Sequence, residues 1–274
     1  MSKLETRWLY VTSEELVALR EKTDGTCILP MGCVEKHGLH LPLGTDSLQA
    51  GEIAFRASQM EPVAVFPDFI FGDIGECTPN TPPGTISLPM ETQMLLLGQL
   101  CGQIVRNGFR RIIIFNGHGG NRPLLNTFLQ EINKEKHNYQ VHLVHIHCDV
   151  MKRIAKAKAL KGLQNADRQL AETCKEKNVL DGHAGYSETA YMMGIAPKCV
   201  HMNRLGIVSG KSTDRSHVYD ENGIQVRDQG WEMDFPHWID SDEPIGCNER
   251  IGEAALRLEA ERVAGIIRKF KREK

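Results

Sequence analysis

The sequence has little net charge, few aromatic side chains and no long apolar run. Its 274 residues carry a formal charge of -2, and the pI is about 6.6. Proteins that bind nucleic acid present a basic surface to the phosphate backbone, and this composition offers none. Neither a signal sequence nor an apolar segment of the roughly 20 residues that cross a bilayer is recognisable. We therefore expect neither nucleic acid nor a membrane as a partner.

The eight cysteines also lack a pattern. They form no C-x-x-C pair and no compact framework, and such spacing is what a disulfide-stapled scaffold or a thiolate zinc site shows. Isolated cysteines are typical of proteins whose thiols stay reduced. The chain is therefore predicted to be cytoplasmic.

Strand-like and helical patterns alternate along the chain. Short apolar runs predict strands at 28–31, 63–66, 112–115 and 140–147. Helical spacing of apolar residues predicts helices from near residue 13, at 47–60, 88–107, 123–137, 149–162 and 165–176, from residue 189, and at 249–270. This alternation predicts a mostly parallel central sheet with helices on both faces, a three-layer α/β/α architecture. The length allows one large domain, and we take 1–274 as a single unit.

Residues 205–248 are polar and carry the least structural information. Asn222-Gly223 is typical of a hairpin turn. Trp231, Phe235 and Trp238 are spaced as aromatic anchors. We predict that this segment serves as a lid over a site or as an oligomer contact.

The stretch from residue 28 to 47, ILPMGCVEKHGLHLPLGTDS, has the composition of a metal site. After a predicted strand, four potential ligands fall within a span of twelve positions: Glu35, His37, His40 and Asp46. Pro42 and Gly44 disfavour a helix here, and a loop can turn such side chains onto one centre. Carboxylates and imidazoles together suit zinc, manganese or iron(II). The alternative is that these residues lie on the surface, with Asp46 as a helix cap.

A second polar turn follows a second buried-type strand, in RRIIIFNGHGGN at 110–121. His118 lies at the tip of this glycine-rich turn. In an open α/β sheet, ligands collect at the carboxyl ends of strands, so the two loops are expected to meet in one crevice. The alternative is a phosphate-binding loop at 117–120, but neither the G-x-G-x-x-G nor the G-x-x-x-x-G-K-[ST] spacing is present.

Three segments resemble signatures of the creatininase (creatinine amidohydrolase) family. LPMGCVEKHGLHLPLGTD is similar to the family's E-[QK]-H-G-x-H-L-P-L-x-T-D pattern, and NGHGGN is similar to its second signature. DGHAGYSET at 181–189 resembles the family's H-A-G-x-x-E-T segment and carries His183 and Glu188. Without the resemblance, these two would be interpreted as a polar loop residue and a helix-dipole carboxylate. The likeness covers most of the chain up to about residue 195 and implies a creatininase-like fold.

The resemblance implies two divalent metal ions per chain, with zinc expected and manganese or iron as alternatives. Four residues match the family's metal ligands: Glu35, His37, Asp46 and His118. Asp46 would bridge the ions, because a carboxylate has two oxygens that can face two cations. The creatinine-hydrolysing members carry H-Y-E-N where this chain has HGGN, so Gly120 stands in place of a ligand glutamate. We predict that Glu188 supplies the missing carboxylate.

The HGGN segment, which replaces H-Y-E-N, also bears on the identity of the substrate. Gly119 replaces a pocket tyrosine of the creatinine-hydrolysing members, which argues against creatinine itself. We expect Gly119, Gly120 and Asn121 to contact the substrate.

The resemblance further implies a metal-dependent amidohydrolase, in which a metal-activated hydroxide cleaves the C–N bond of a cyclic amide, lactam or formamide. His183 is the predicted catalytic residue, which delivers a proton to the leaving nitrogen. The expected partner is a small-molecule substrate, and the family implies a homo-oligomer, with a hexamer expected. The alternatives are a metal-dependent lyase or isomerase acting on a polar metabolite, and a non-catalytic family member.

Overall fold

Parallel strands form the centre of the molecule. The computed structural model describes residues 4–75, 81–134, 136–157, 160–223 and 229–272. Over these ranges the sheet has four strands: β1 (Thr26–Met31), β2 (Ala64–Val65), β3 (Arg111–Asn116) and β4 (Gln140–His145). All of their pairings are parallel, in the order β2-β1-β3-β4. The strands that precede the two polar motifs, β1 and β3, are therefore neighbours.

Helices pack around this sheet. In the described ranges they are α1 (Ser13–Lys22), α2 (Thr45–Ser58), α3 (Met90–Arg106), α4 (Asn121–Ile132), α5 (Val150–Lys156), α6 (Asn165–Glu176), α7 (Tyr186–Ile195), α8 (His217–Glu221), α9 (Gln229–Asp234) and α10 (Glu249–Arg272). The same ranges contain three short 3-10 helices, at Trp8–Tyr10, Pro197–Cys199 and Met202–Arg204. Among the described helices, none combines the length and the apolar character that a bilayer crossing requires.

The side chains of β1 and β3 alternate between two apolar cores, because successive residues of a strand point to opposite faces. Leu29 and Ile112 belong to the core that α1, α3 and α4 cover. Ile28 and Ile113 belong to the core under α2, α5, α7 and α10. Burial of one such side chain contributes about 1.5–3 kcal/mol to stability. The predicted three-layer α/β/α architecture with a parallel sheet is confirmed.

Several element boundaries differ from the predicted ranges. Helix α2 begins at Thr45 rather than at residue 47, and α4 begins at Asn121 rather than at residue 123. Both helices therefore start inside their polar motifs. Helix α5 ends at Lys156, because Ala157 adopts an extended conformation. Residues 158 and 159 of the helix predicted at 149–162 lie outside the described residues.

The hairpin predicted at Asn222-Gly223 is wrong. The residues before this pair form α8, and Gly223 follows that helix with φ +65. The side-chain amide of Asn222 also donates to the carbonyl oxygen of Val218, one helical turn back. Asparagine and glycine both tolerate the left-handed conformation that helix ends as well as hairpins need. Residues 224–228, which follow this pair, lie outside the described residues.

Helices α7 and α10 cross at a pair of glycines. A Cβ added at Gly252 would overlap the backbone nitrogen of Gly194 and the carbonyl oxygen of Ala190. We predict that Gly252→Ala lowers the free energy of unfolding by about 1–3 kcal/mol, because a methyl group here forces the helices apart. Gly265→Ala is the control, because its added Cβ meets no described atom within 4 Å. Urea denaturation should show a gain of about 0.5–1 kcal/mol for the control, and equal effects of the two changes would contradict the prediction.

Candidate metal centre

The polar motifs converge at the carboxyl ends of β1 and β3. The loop after β1 carries Glu35 and His37, the first turn of α2 carries Asp46, and the loop after β3 carries His118. Gly32 allows this arrangement, because a Cβ at that position would overlap the backbone of Asp46 and its successor. The start of α2 therefore lies directly against the end of β1.

Four side chains form a first cluster, which consists of Cys33, Glu35, Asp46 and His118. Their ligand atoms all lie within 4.8 Å of one another, and all four residues are buried. His118 Nδ1 lies 2.8 Å from Asp46 Oδ2 and 3.0 Å from Glu35 Oε1. Cys33 Sγ lies 3.1 Å from the same Asp46 oxygen.

A second cluster, which consists of His37, Asp46 and Glu188, lies next to the first. His37 Nε2 is 3.4 Å from Asp46 Oδ1 and 3.6 Å from Glu188 Oε2. Helix α7 begins at Tyr186 rather than at residue 189, so Glu188 lies in its first turn, and the Glu188 carboxylate accepts a hydrogen bond of 2.6 Å from the Ala184 backbone. Asp46 therefore faces one cluster with each of its oxygens.

Backbone carbonyl groups fix the tautomers of three histidines. His118 Nε2 donates to the Asp73 oxygen at 2.9 Å, and His37 Nδ1 donates to the Glu35 oxygen at 3.2 Å. His183 Nε2 donates to the Lys36 oxygen at 2.8 Å. Because a neutral imidazole has one donor and one acceptor nitrogen, the second nitrogen of each ring presents a lone pair to the centre. Metal-binding histidines are oriented by hydrogen bonds of this kind.

These lone pairs face carboxylate oxygens, which are acceptors as well. Among the described residues, neither Glu35 Oε1 nor His37 Nε2 has a hydrogen-bond partner, although both atoms are buried. Buried polar atoms without partners are rare in folded proteins, because each one costs free energy. The two clusters together form a cage of acceptor atoms. Protons or cations between these atoms are needed to stabilise it.

The close approach of carboxylates and imidazoles shifts the pKa values of the side chains in the centre. Burial disfavours a charged His37, but the Asp46 and Glu188 carboxylates outweigh it and raise the pKa of His37 to about 10. Burial raises the pKa of Glu188 to about 8. Burial opposes ionisation of Asp46 too, yet His37 and His118 hold the pKa of Asp46 well below its usual value. Without a metal, protons therefore supply the positive charge that the cage needs.

Comparison with known proteins identifies the family. The model of the family described as Creatininase: Creatinine amidohydrolase matches residues 10–267. The chain belongs to the creatininase family. A crystal structure of a creatinine amidohydrolase (creatininase) covers 98% of this chain and 99% of its own, with a TM-score of 0.69 and 20% identity. A creatininase variant described as Zn-Zn type covers 97% and 98%, with a TM-score of 0.65 and 19% identity. These similarities show that the creatininase fold is shared.

Curated relatives match over shorter lengths. The mycofactocin precursor peptide peptidase of Mycolicibacterium smegmatis is 28% identical over 184 residues, which are 65% of this chain and 61% of that protein. The creatinine amidohydrolase of Pseudomonas putida is 29% identical over 99 residues, 34% of this chain and 38% of that protein. The chain thus spans less than two thirds of the length of these relatives.

The HGGN segment supplies part of the cavity wall beside the clusters. Gly119 and Gly120 line the cavity that opens onto the centre. A Cβ at Gly120 would lie 2.6 Å from the Asp73 oxygen that holds His118. A glutamate at this position would therefore disturb His118, which is a physical reason for a carboxylate from α7 instead.

Asn121 lies behind the cavity wall. Its side chain is 0% exposed, its oxygen accepts from the Asp73 backbone at 2.7 Å, and its nitrogen donates to the Asn116 oxygen at 2.8 Å. It therefore shapes the glycine-rich turn. His40, the remaining histidine of the first motif, is also buried and hydrogen bonds Thr189 at 3.0 Å, and it belongs to neither cluster.

The cavity has a volume of about 550 Å³ and includes walls that the motifs did not reveal. The His183 ring stacks on His37 with centroids 4.1 Å apart, and Trp231 and Trp238 pack edge-on to it at 5.2 and 6.3 Å. Asp240 accepts hydrogen bonds from the His183 backbone and from the Trp231 indole. The spacing of the aromatic residues at 231–238 indicated that they anchor this segment. No sequence motif indicated that they contact His183. The lid or oligomer role of 205–248 stays a prediction.

Proposed function

We propose that this creatininase-family chain is a metal-dependent amidohydrolase, which cleaves a C–N bond next to a carbonyl group. The observation that carries the proposal is the cage of acceptors: imidazole lone pairs held by backbone carbonyls face carboxylate oxygens at 2.8 to 3.9 Å. Oxygen and nitrogen donors in this mixture suit zinc, and the buried atoms without partners fit the need for a cation.

Two divalent ions would share Asp46. Glu35 and His118 would hold one with an Asp46 oxygen, and His37 and Glu188 would hold the other. We propose zinc in both positions, and the relative described as Zn-Zn type supports this choice. When bound, such ions supply a hydroxide nucleophile near neutral pH and polarise the scissile carbonyl.

His183 would handle the proton in this reaction. Burial lowers the pKa of His183, and the Nε2–H of the ring donates to the Lys36 oxygen at 2.8 Å. Its Nδ1 points into the centre, 3.7 Å from Glu35 Oε1. Nδ1 can therefore take a proton during attack on the carbonyl and pass it to the leaving nitrogen. Trp231 and Trp238 pack edge-on against the ring and hold it in place.

The cavity supports a small amide as the substrate. Our first candidates are a cyclic amide, a lactam or a formamide, whose size fits about 550 Å³. The absence of a side chain at Gly119, where an added Cβ would meet no described atom within 4 Å, leaves room for the amide beside His118. A short peptide is the second candidate, because the relative from Mycolicibacterium smegmatis is described as a peptide peptidase. The homo-oligomer that the family implies stays a prediction.

Metal analysis joined to a hydrolysis panel tests the proposal. Protein purified without chelators should carry two ions per chain, and chelation should abolish turnover that zinc then restores. Cyclic amides, lactams, formamides and short peptides should be offered, and mass spectrometry should detect the addition of one water to the substrate. Products of unchanged total mass would indicate a lyase or an isomerase, and protein without firmly bound metal would reject the proposal.

His183→Gln separates proton transfer from metal binding. Glutamine can still donate to the Lys36 oxygen but has no basic lone pair at the position of Nδ1. We expect both ions to remain while kcat falls about 10²- to 10⁴-fold, together with loss of one limb of the pH profile. Loss of an ion would assign His183 to the ligands, and unchanged turnover would reject its catalytic role.

A further inference from the structure

Cys33 is a thiol buried inside the first cluster. It is 0% exposed, and its Sγ lies 3.1 Å from Asp46 Oδ2, the oxygen that also faces His118. Other buried cysteines, such as Cys27 and Cys101, belong to the apolar core between the sheet and α3. Cys33 alone among the described cysteines is grouped with carboxylates and an imidazole. Its surroundings are those of a ligand rather than of a core residue.

The spacing of the first cluster fits four donors around one ion. With a zinc–sulfur distance of about 2.3 Å and zinc–nitrogen or zinc–oxygen distances of about 2.0–2.1 Å, the donors of a tetrahedron lie about 3.3–3.5 Å apart. The contacts of Asp46 with Cys33 and His118, and of His118 with Glu35, measure 3.1, 2.8 and 3.0 Å. An expansion of a few tenths of an ångström would seat an ion among them.

We propose that Cys33 is a sulfur ligand of the ion held by the first cluster. The inference rests on the proposed function, because it needs a metal there. When the ion binds, the S–H bond breaks, a sulfur–metal bond forms, and the proton leaves to solvent. The two positions of the centre then differ, since the first has one thiolate and the second, around His37 and Glu188, has oxygen and nitrogen donors alone.

This difference predicts unequal metal preference. Thiolate ligands select zinc, whereas manganese prefers oxygen donors. Zinc should therefore outcompete manganese in the first cluster, and manganese should enter the second cluster more readily. The centre would hold a mixed pair when both metals are offered.

Cobalt(II) supplies a direct readout, because a thiolate bound to cobalt gives an intense charge-transfer band in the near ultraviolet. The full chain should be stripped, loaded with cobalt and measured beside Cys33→Ser, Cys33→Ala and Cys148→Ser. Cys148 is the matched control, because it lines the same cavity outside both clusters. We expect two cobalt ions in wild type with the band present, retention of the band in Cys148→Ser, and its loss in both Cys33 variants.

Zinc affinity gives a second readout. Loss of a group that merely orients a ligand costs about 10- to 100-fold in affinity, so loss of Cys33 should weaken one of the two zinc sites at least tenfold. Two bound cobalt ions without the band, or a band that persists without Cys33, would overturn the inference and leave the proposed function standing. Failure of wild type to bind cobalt would overturn both. The wild-type spectrum decides the matter even where a variant does not fold.

Discussion

Replacement of Asp46 by asparagine should strip firmly bound metal from both clusters and lower turnover by at least about 10³-fold, since metal catalysis supplies several kcal/mol. The two oxygens of Asp46 face His118 and His37 at 2.8 and 3.4 Å, so one residue serves both positions. Asparagine has the same shape but no charge, and its amide nitrogen would point a donor where a cation should sit. Elemental analysis and the hydrolysis assay measure the two effects.

Asp167→Asn is the matched control. Asp167 is also a buried aspartate in the first turn of a helix, but it belongs to neither cluster. Its partner is Arg250, at 2.7 Å. The hydrogen bond with Arg250 lowers the pKa of Asp167 from 3.8 to about 2. Its contribution to stability is therefore present above pH 4 and is lost as the pH falls toward 2. The control should lose stability at neutral pH and keep two ions, and retention of both ions by Asp46→Asn would reject the bridging role.

The architecture and the position of the centre follow from local sequence signals. Apolar runs of strand length alternate with helical patterns, and that alternation alone predicts helices on both faces of a parallel sheet. Glu35, His37 and His118 lie in turns directly after strands, and neighbouring parallel strands deliver such turns to one edge of the sheet. Glu188 could be placed in the first turn of a helix from the glycines before it.

Other parts of the site depend on contacts between distant segments. Trp231 and Trp238 reach His183 because Asp240 ties this segment to the His183 backbone, and no local pattern encodes that path. Cys33 could not be predicted as part of the centre, because an isolated cysteine has no characteristic spacing, although neighbouring residues of the motif were predicted to bind metal. Asn121 looked like a substrate contact in the sequence, but its role as a buried brace depends on Asp73 from another loop.

The burial of Glu259 could not be predicted from the sequence. Helix α10 was predicted from the spacing of its apolar residues, to which Glu259 does not belong, yet Glu259 is 0% exposed. Its carboxylate contacts Arg153 at 2.7 Å and Arg262 at 2.5 Å, and it accepts from the His147 backbone at 2.9 Å. Arg262 in turn donates to the His145 oxygen at 2.7 Å. This ion-pair network fixes the end of β4, where His145 and His147 line the cavity.

Glu259→Gln should therefore destabilise the protein by about 3–5 kcal/mol, because a neutral amide leaves two guanidinium groups without their counter-charge. The amide nitrogen would also face the Arg donors, and a single oxygen would remain to accept from Arg262 and from the His147 backbone. Glu253→Gln is the control on the same helix: Glu253 is 62% exposed and pairs with Arg56 at 2.7 Å, and such pairs contribute less than about 1 kcal/mol. Urea denaturation measures both, and similar losses would mean that burial gives Glu259 no special weight. Folded Glu259→Gln protein should keep both ions but show a raised KM, since the cavity wall, rather than the metal clusters, loses its support.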